Sequence, residues 1–527
     1  MAIRRRPRLD YPATPFHHFL RRAADTAPER VAVRFDDDAV TFRELDAWGT
    51  AFANALLTLD LAPGSRVAIA SANRPEWLMA EHGILQAGGA AVLVNSSWKA
   101  QEIEHAFGLT QPAAVVADAA MASVLEGSGI ALPPLRVCLD DDVPPGWLPF
   151  WALVDGASGA RPPDPAGDLG GLEAVLPFSS GTTGLPKAVR HTHRGLTCAT
   201  VQRVAAYGIT GADRLQYFMP LFTIYGVTVT GAAFAAGASI RLFRRFDAEA
   251  ALANIERERI TVGFVAAPVA VALRERDDLE RYDLSSLRYL LWGATPPIVD
   301  VVDELTARTG VRIFQAYATT ETGIASNPVE RPDRWRLDSP GLLMSDVEAR
   351  IVDLESGEDL PAGQPGELVV RSPAMMAGYL PPESNADAFL DGWFRTGDVG
   401  WIEPDGWVRL TDRAKEMIKC SGFAVAPAEI EDTLHAHAAV ADCAVYGIPD
   451  PHRGEAPKAA VVLAAGATAS ADDLRAHVAD RLAGYKHLAA VDFVESIPRN
   501  AGGKVLRRIL RDADPAAAPL QPAAGPL

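Results

Sequence analysis

Residues 176–195 read LPFSSGTTGLPKAVRHTHRG. Ala174 to Phe178 is a short apolar run that predicts a buried strand, and Ala188 to Thr192 resumes an extended pattern. Between them, Ser179, Ser180, Gly181, Thr182, Thr183, Gly184, Leu185, Pro186 and Lys187 concentrate hydroxyls, two glycines and one cation. Gly181 and Gly184 allow backbone geometry that turns successive N–H groups toward one point. The hydroxyls add donors and Lys187 adds charge, a chemistry suited to polyphosphate. The stretch is not a G-x-x-x-x-G-K-[ST] loop, because Pro186 stands where the second glycine belongs. On composition alone a hairpin turn or linker is the alternative, since Gly, Ser and Thr dominate those too.

The chain around this loop has 527 residues, too many for one core, and predicts two or more domains. It is 48% hydrophobic and 22% charged, the composition of a soluble globular protein. A net charge of -17 argues against general nucleic-acid binding, which needs a basic field. An anionic substrate then needs local positive charge, which Lys187, Arg190 and Arg194 offer beside the loop. No apolar stretch is long enough to predict a membrane helix. The start, MAIRRRPRLDYPATPF, has basic residues without an apolar core and does not read as a secretory signal. Cys138, Cys198, Cys420 and Cys443 are far apart and form no CxxC pair, which predicts a reduced, cytoplasmic setting.

From about residue 29 to 290, short β-branched runs alternate with amphipathic stretches. RVAIAS (66–71) is followed by PEWLMAEHGILQAG, then AAVLVN, KAQEIEHAFGLT and AAVVAD. This is the βα alternation of a mixed or parallel sheet covered by helices. Residues 155–171, DGASGARPPDPAGDLGG, read as a Pro/Gly-rich surface linker. After residue 340, EARIVD, GELVVRS and GWVRLTD predict a small β-rich unit. An α+β set follows near Asp412: helix PAEIEDTLHAH, strands ADCAVYGI and KAAVVLA, helix ADDLRAHVADRLAGY and strand AVDFVESI. The expected division is 1–412 for a large α/β domain of βα layers with the β-rich unit. Residues 413–512 are a smaller, mobile α+β domain, and 513–527 an Ala/Pro-rich disordered tail.

Four further stretches suit the loop chemically. In FQAYATTETG (314–323), Thr320 and Glu321 place a hydroxyl and a carboxylate side by side after an apolar strand. A carboxylate plus phosphate oxygens is how Mg²⁺ is held at a nucleotide, although such a dipeptide alone is more often a solvent-facing strand end. In GWFRTGDVGWIEPDGWV (392–408), Asp398 sits in a Gly-flanked turn where it could accept from ribose hydroxyls or simply turn the chain. TDRAKEMIKCSGF (411–423) marks the domain boundary. PRNAGGKVLRR (498–508) presents Lys504 on a glycine turn, a second lysine that would meet the first if two domains closed on one anion.

Together these segments resemble the adenylate-forming, AMP-binding superfamily, and most of all its acyl-CoA synthetases and coumarate–CoA ligases. The resemblance runs from about Phe16 to Arg511, with TFRELD, FSSGTTGLPKAV, MPLFTIYG, LLWGATPP, QAYATTET, GWFRTGDVG, DRAKEMIKCSGF, PAEIE and GKVLRR in the family's order. It implies ATP, Mg²⁺ and coenzyme A as cosubstrates and cofactors, with a small carboxylic acid as substrate. Ser179, Ser180, Gly181, Thr182, Thr183, Gly184 and Lys187 would then cradle the β- and γ-phosphates. Gly293, Ala294 and Tyr317 would contact adenine. Thr320 would bond the α-phosphate, Glu321 would hold Mg²⁺, and Asp398 with Arg413 would bind the ribose. Lys415 matches the family's hinge. Lys504 would bridge carboxylate and α-phosphate during adenylation, and Lys419 and Gly422 would enter the site in a second conformation, near the thiol.

The chain departs from that pattern in the region of the acyl pocket. Phe222 and Thr223 fall between pocket and thiol tunnel, and Thr223 stands where many relatives carry His. No acid occurs between Phe218 and Thr230, which disfavours an α-amino acid substrate. Trp292 stands where relatives have Gly or Ser, and Ala318 where they have Gly. Both would add volume to the pocket wall and predict a compact site, unless Trp292 turns away and packs under the sheet.

The resemblance implies an acid–CoA ligase. A second reading on the same fold is a stand-alone activating enzyme that passes the adenylate to a carrier protein or a non-thiol acceptor. Diverged, nitrite-activating diazotases fall in this second group. A non-catalytic binding protein is the third, and Lys187, Glu321, Asp398, Arg413 and Lys504 all argue against it.

Overall fold

The computed structural model describes residues 6–164, 168–179, 186–293, 295, 297–331, 334–414, 416–420, 423–450, 453–499 and 505–517. Two compact units emerge: Ala2–Glu348 with Val370–Phe394, and Ala349–Val369 with the chain from Arg395 on.

In the first unit the βα alternation of the sequence becomes two sheets. Strands Val31–Phe35, Ser239–Leu242, Arg214–Tyr217, Val262–Val265, Tyr289–Trp292 and Ile313–Ala318 lie side by side and all parallel. Antiparallel strands flank them, Asp38–Thr41 at one end and Gly323–Ser326 at the other. The second sheet runs in the order Gly378–Leu380, Lys187–Thr192, Glu173–Leu176, Ala90–Val94, Arg66–Ala70, Ala114–Ala117, Leu135–Cys138 and Leu148–Pro149. Every residue of Ala90–Val94 is buried, as a parallel strand covered on both faces requires.

Local chemistry fixes the helices. Helix Phe42–Thr58 starts at a capping box in which the Thr41 hydroxyl and Glu44 carboxylate each take a backbone N–H. Helix Pro75–Gln86 opens on Pro75, whose missing N–H costs nothing in a first turn. The two helices approach so closely that a Cβ on Gly83 would lie 2.7 Å from the Gly49 carbonyl oxygen.

In the second unit, Glu348–Val352, Gly366–Arg371, Trp393–Ile402 and Trp407–Arg413 are neighbours. A five-stranded sheet follows, built on the long antiparallel pair Val440–Asp450 and Gly454–Leu463. Helices Pro427–His435 and Ala471–Ala479 pack on it through Ile430, Leu434, Leu474 and Val478.

This division differs from the 412/413 boundary expected from sequence. Asp398 pairs with Arg413 and Val399 with Asp412, so a cut there would pass through one end of a strand pair. Residues 513–517 of the expected tail are among those the structure describes. Asp514 accepts from the Tyr446 hydroxyl at 2.9 Å and from Lys458 Nζ at 2.7 Å, and Pro515–Ala517 forms a 3-10 turn. Residues 518–527 of the expected tail lie outside the described residues. Among the described residues, no helix is long and apolar enough to cross a membrane.

Candidate active site

Strands Val262–Val265, Tyr289–Trp292 and Ile313–Ala318 run in parallel register. In open sheets of this kind, ligands bind beyond the carboxyl ends of the strands. Gly293 follows the second strand, its N–H donating to the Val265 carbonyl at 3.1 Å. Tyr317 is half-buried and sits one residue before the end of the third.

A tight turn then carries the chain from Ala318 to Gly323, which are directly paired. The Thr319 N–H donates to the Thr322 carbonyl at 2.9 Å. The Thr319 hydroxyl accepts from the N–H groups of Glu321 at 3.2 Å and Thr322 at 3.3 Å. Thr320 and Glu321 are the two residues this turn presents. Their carbonyls are anchored from beneath: His191 Nε2–H donates to Thr320 at 2.8 Å, and the Met376 N–H donates to Glu321 at 2.9 Å. Burial pushes the His191 imidazole down to about 4, so it stays neutral at physiological pH.

The Glu321 side chain is buried and accepts from the Tyr379 hydroxyl through Oε1 at 2.6 Å. Tyr379 lies on strand Gly378–Leu380, opposite Val189 of strand Lys187–Thr192. Lys187, at the start of that strand and paired with Ser179, holds its Nζ 5.2 Å from the centroid of the Tyr379 ring. One tyrosine thus links the lysine that closes the hydroxyl-rich loop to the carboxylate on the turn. With Oε1 taken, Glu321 keeps Oε2 for a hard cation, and a single carboxylate oxygen is a normal protein share of a magnesium site.

Other expectations fare differently. Arg190 is not a free cation beside the loop, because its Nε donates to Glu173 Oε1 at 2.5 Å and Glu173 also holds Arg66. Trp292 takes the alternative of packing in the core: it is 1% exposed, sits with Phe218, Val265, Val269 and Ile313, and donates through Nε1 to the Thr295 carbonyl at 2.9 Å. Ala318 is exposed at its strand end rather than enclosed. Phe222 is half-buried. Thr223 is the N-cap of helix Ile224–Ala236: its hydroxyl accepts from the Gly226 N–H at 3.1 Å and donates to the Pro220 carbonyl at 2.8 Å. Two residues on, the buried Tyr225 hydroxyl has no hydrogen-bond partner among the described residues, and a Cβ on Gly293 would lie 3.5 Å from it.

In the second unit, Asp398 is buried and stands directly opposite Arg413 across two antiparallel strands. This juxtaposes the two residues assigned to the ribose. Lys419 is exposed on strand Ile418–Cys420, its Nζ 4.0 Å from Glu355, a solvated pair that holds it only weakly. Ser180, Gly181, Thr182, Thr183, Gly184, Ala294, Lys415, Gly422 and Lys504 lie outside the described residues.

Sequence reading missed Tyr379 and His191. Both act through contacts more than fifty positions away, at |i−j| of 58 and 129. The available signal for His191 was its place in HTH, on a strand whose start carries Lys187.

Comparison with known proteins identifies the family. The AMP-binding enzyme family matches residues 20–380, and the AMP-binding enzyme C-terminal domain matches residues 429–504. The chain is 35% identical to 4-coumarate–CoA ligase 2 of Oryza sativa subsp. japonica over 96% of its own length and 93% of that protein's. It is similar to the amide bond synthetase McbA from Marinactinospora thermotolerans, with 31% identity, a TM-score of 0.83 and coverage of 94% and 99% of the two chains. It is similar as well to the anthranilate–CoA ligase AuaEII solved with anthranoyl-AMP, with 27% identity, a TM-score of 0.85 and coverage of 95% and 97%. With a family match over most of its length and a relative above thirty per cent identity, the chain belongs to the AMP-binding enzyme family, the adenylate-forming ligases.

Proposed function

We propose that this enzyme is an acid–CoA ligase. A carboxylate attacks the α-phosphorus of ATP, pyrophosphate leaves, and the acyl-adenylate passes its acyl group to the CoA thiol with release of AMP. The observation that carries this reading is the Lys187–Tyr379–Glu321 connection, which sets a cation and a carboxylate on either side of one phenol. Lys187 would neutralise the β- and γ-phosphates with the loop from Ser179. Glu321 would hold Mg²⁺, which when bound draws charge from the phosphate oxygens. Thr320, on the same turn, would donate to the α-phosphate, where negative charge builds in the transition state. Asp398 and Arg413 would bind the ribose.

The acid class favoured is a planar aromatic carboxylate. Support comes from the coumarate and anthranilate ligases the chain resembles, and not from Trp292. The enzyme would work in the cytoplasm, in keeping with four unpaired cysteines.

A second reading has an amine as acceptor, giving an amide. The likeness to an amide bond synthetase over nearly the whole chain favours keeping it. A carrier-protein thiol would be served by the same first half-reaction. Across the two half-reactions, Lys504 would serve adenylation and Lys419 with Gly422 thioester formation, with Lys415 as the pivot.

ATP–pyrophosphate exchange with a panel of aromatic acids, followed by addition of CoA or an amine, tests the proposal. Acid-dependent exchange and an acyl-CoA product are expected. Amide without thioester would select the second reading. No exchange with any acid would overturn adenylation itself. Lys504→Ala should lose exchange yet convert supplied acyl-adenylate, whereas Lys419→Ala should keep exchange and slow thioester formation.

A further inference from the structure

Outside the residues assigned to the nucleotide, His17, His18, His82 and His193 cluster at the start of the first helix. His17 and His18 open helix His18–Thr26, and the His17 ring lies 4.8 Å from that of His18, 6.1 Å from His82 and 5.6 Å from His193. Asp164, in the Pro/Gly-rich strap, reaches into this cluster. Its carboxylate lies 3.4 Å from His17 Nε2 and 3.0 Å from His18 Nε2.

Three features of this group are unusual for a plain hydrogen-bond network. First, the His17 side chain is 1% exposed; among the described residues its Nδ1 has no hydrogen-bond partner, and its Nε2 has only the Asp164 carboxylate at 3.4 Å. A neutral imidazole buried in that way is left incompletely satisfied. Second, His18 faces opposite demands. Its Nε2 is 3.0 Å from the Asp164 carboxylate and 3.1 Å from an Arg21 NH1 donor. An N–H there meets the guanidinium donor, and a lone pair meets the carboxylate, so either tautomer leaves one mismatched contact. Third, the spacing suits coordination. Ligand atoms about 2.0–2.1 Å from a tetrahedral zinc ion stand roughly 3.3 Å apart, against 3.4 and 3.0 Å from the Asp164 carboxylate to the His17 and His18 nitrogens. The donor atoms of His17, His18 and Asp164 all lie within 4.8 Å of one another.

We propose that His17, His18 and Asp164 form a binding site for a transition-metal dication of the zinc class, separate from the magnesium of the nucleotide. Two imidazole nitrogens and one carboxylate oxygen make a borderline donor set that favours such an ion over Mg²⁺ or Ca²⁺. Water completes the fourth position, since His18 and Asp164 retain access to solvent. Arg21 lies 3.5 Å from Asp164, and its NH2 already donates to Gln86 Oε1 at 3.0 Å. On metal binding it gives up both the carboxylate and His18 Nε2, to which its NH1 lies at 3.1 Å, and keeps the glutamine. The consequence is mechanical. The ion ties the first helix to the strap that leads through Leu169–Gly171 to strand Glu173–Leu176 and the hydroxyl-rich loop.

The test is calorimetric titration of Zn²⁺ into the full chain after EDTA treatment and dialysis, without nucleotide, together with melting temperature with and without Zn²⁺. One equivalent should bind, with a rise in melting temperature, and excess Mg²⁺ should not compete. His18→Gln and Asp164→Asn, both at solvent-accessible positions, should each weaken binding more than about tenfold and remove the zinc-dependent rise. His437→Gln, at a separate histidine pair with His477, should leave both unchanged. The proposal fails if the wild type takes up no zinc, if His18→Gln and Asp164→Asn bind as the wild type does, or if His437→Gln alone abolishes binding.

Discussion

The Tyr379 hydroxyl donates to the Glu321 carboxylate at 2.6 Å, from a strand that pairs with the one carrying Lys187. The bond fixes which oxygen of Glu321 is committed to the protein. Tyr379→Phe keeps the ring under Lys187 and removes only the hydroxyl. A hydrogen bond to a charged group is worth about 1.5–3 kcal/mol. The Mg²⁺ concentration that half-saturates pyrophosphate exchange should therefore rise roughly ten- to hundredfold, with the ATP dependence at saturating Mg²⁺ changed far less. An unchanged Mg²⁺ dependence would remove Tyr379 from the site.

Thr223 is a cap in this structure. Thr223→Ala should cost about 1 kcal/mol of stability, read as a shift in the denaturant midpoint with unchanged slope. Thr223→Ser should restore most of it. Equal losses in both variants would mean that the methyl group, and not the hydroxyl, is what helix Ile224–Ala236 requires.

Trp292 belongs to the core, so substitution should act on stability and not on acid choice. Trp292→Ala should destabilise by about 3–5 kcal/mol. Trp292→Phe, which keeps most of the packing and loses the bond to Thr295, should fold and rank a panel of acids as the wild type does. A re-ranking by more than about tenfold in kcat/KM, or roughly 1.4 kcal/mol, would return Trp292 to the pocket.

Acid should weaken the fold through His191. Its folded pKa is about 4 because burial disfavours the charged ring, against roughly 6.5 when unfolded. Between those values the unfolded chain binds more protons. Stability is therefore fully present above pH ~6.5 and lost as pH falls toward ~4, at about 1.4 kcal/mol per pH unit for one such histidine. His17 and His193, similarly buried, add to the slope. His191→Gln should flatten the dependence by about one proton, measured as unfolding free energy against pH. An unaltered slope would contradict a buried, neutral His191.

What was legible in the sequence was local. The strand–helix alternation from Arg66 to Ala117 follows from apolar runs and helix periodicity, and the structure reproduces it element by element. Thr320 and Glu321 were visible as a hydroxyl and a carboxylate side by side after an apolar strand, but the turn that presents them was not. Side-chain direction was not legible. Trp292 ends a strand, and parity along that strand decides whether the indole meets a pocket or the helices beneath, which the neighbours Val265 and Gln315 fix only in the folded sheet. Arg190 read as local positive charge for an anion, and its pairing was not legible because Glu173 is on a neighbouring strand seventeen residues earlier. The Tyr379–Glu321 bond joins two sheets, and nothing local to either residue announces it.

Glu321 is proposed here as the carboxylate that holds the nucleotide's metal. Pyrophosphate exchange with a saturating acid, measured across a range of Mg²⁺ concentrations in wild type and Glu321→Gln, tests this most directly. Gln keeps the shape and an acceptor for Tyr379 and removes the charge. Exchange should fall by at least about a hundredfold, or roughly 2.7 kcal/mol in transition-state stabilisation, with the melting temperature nearly unchanged. Exchange within a few-fold of wild type at every Mg²⁺ concentration would contradict the assignment.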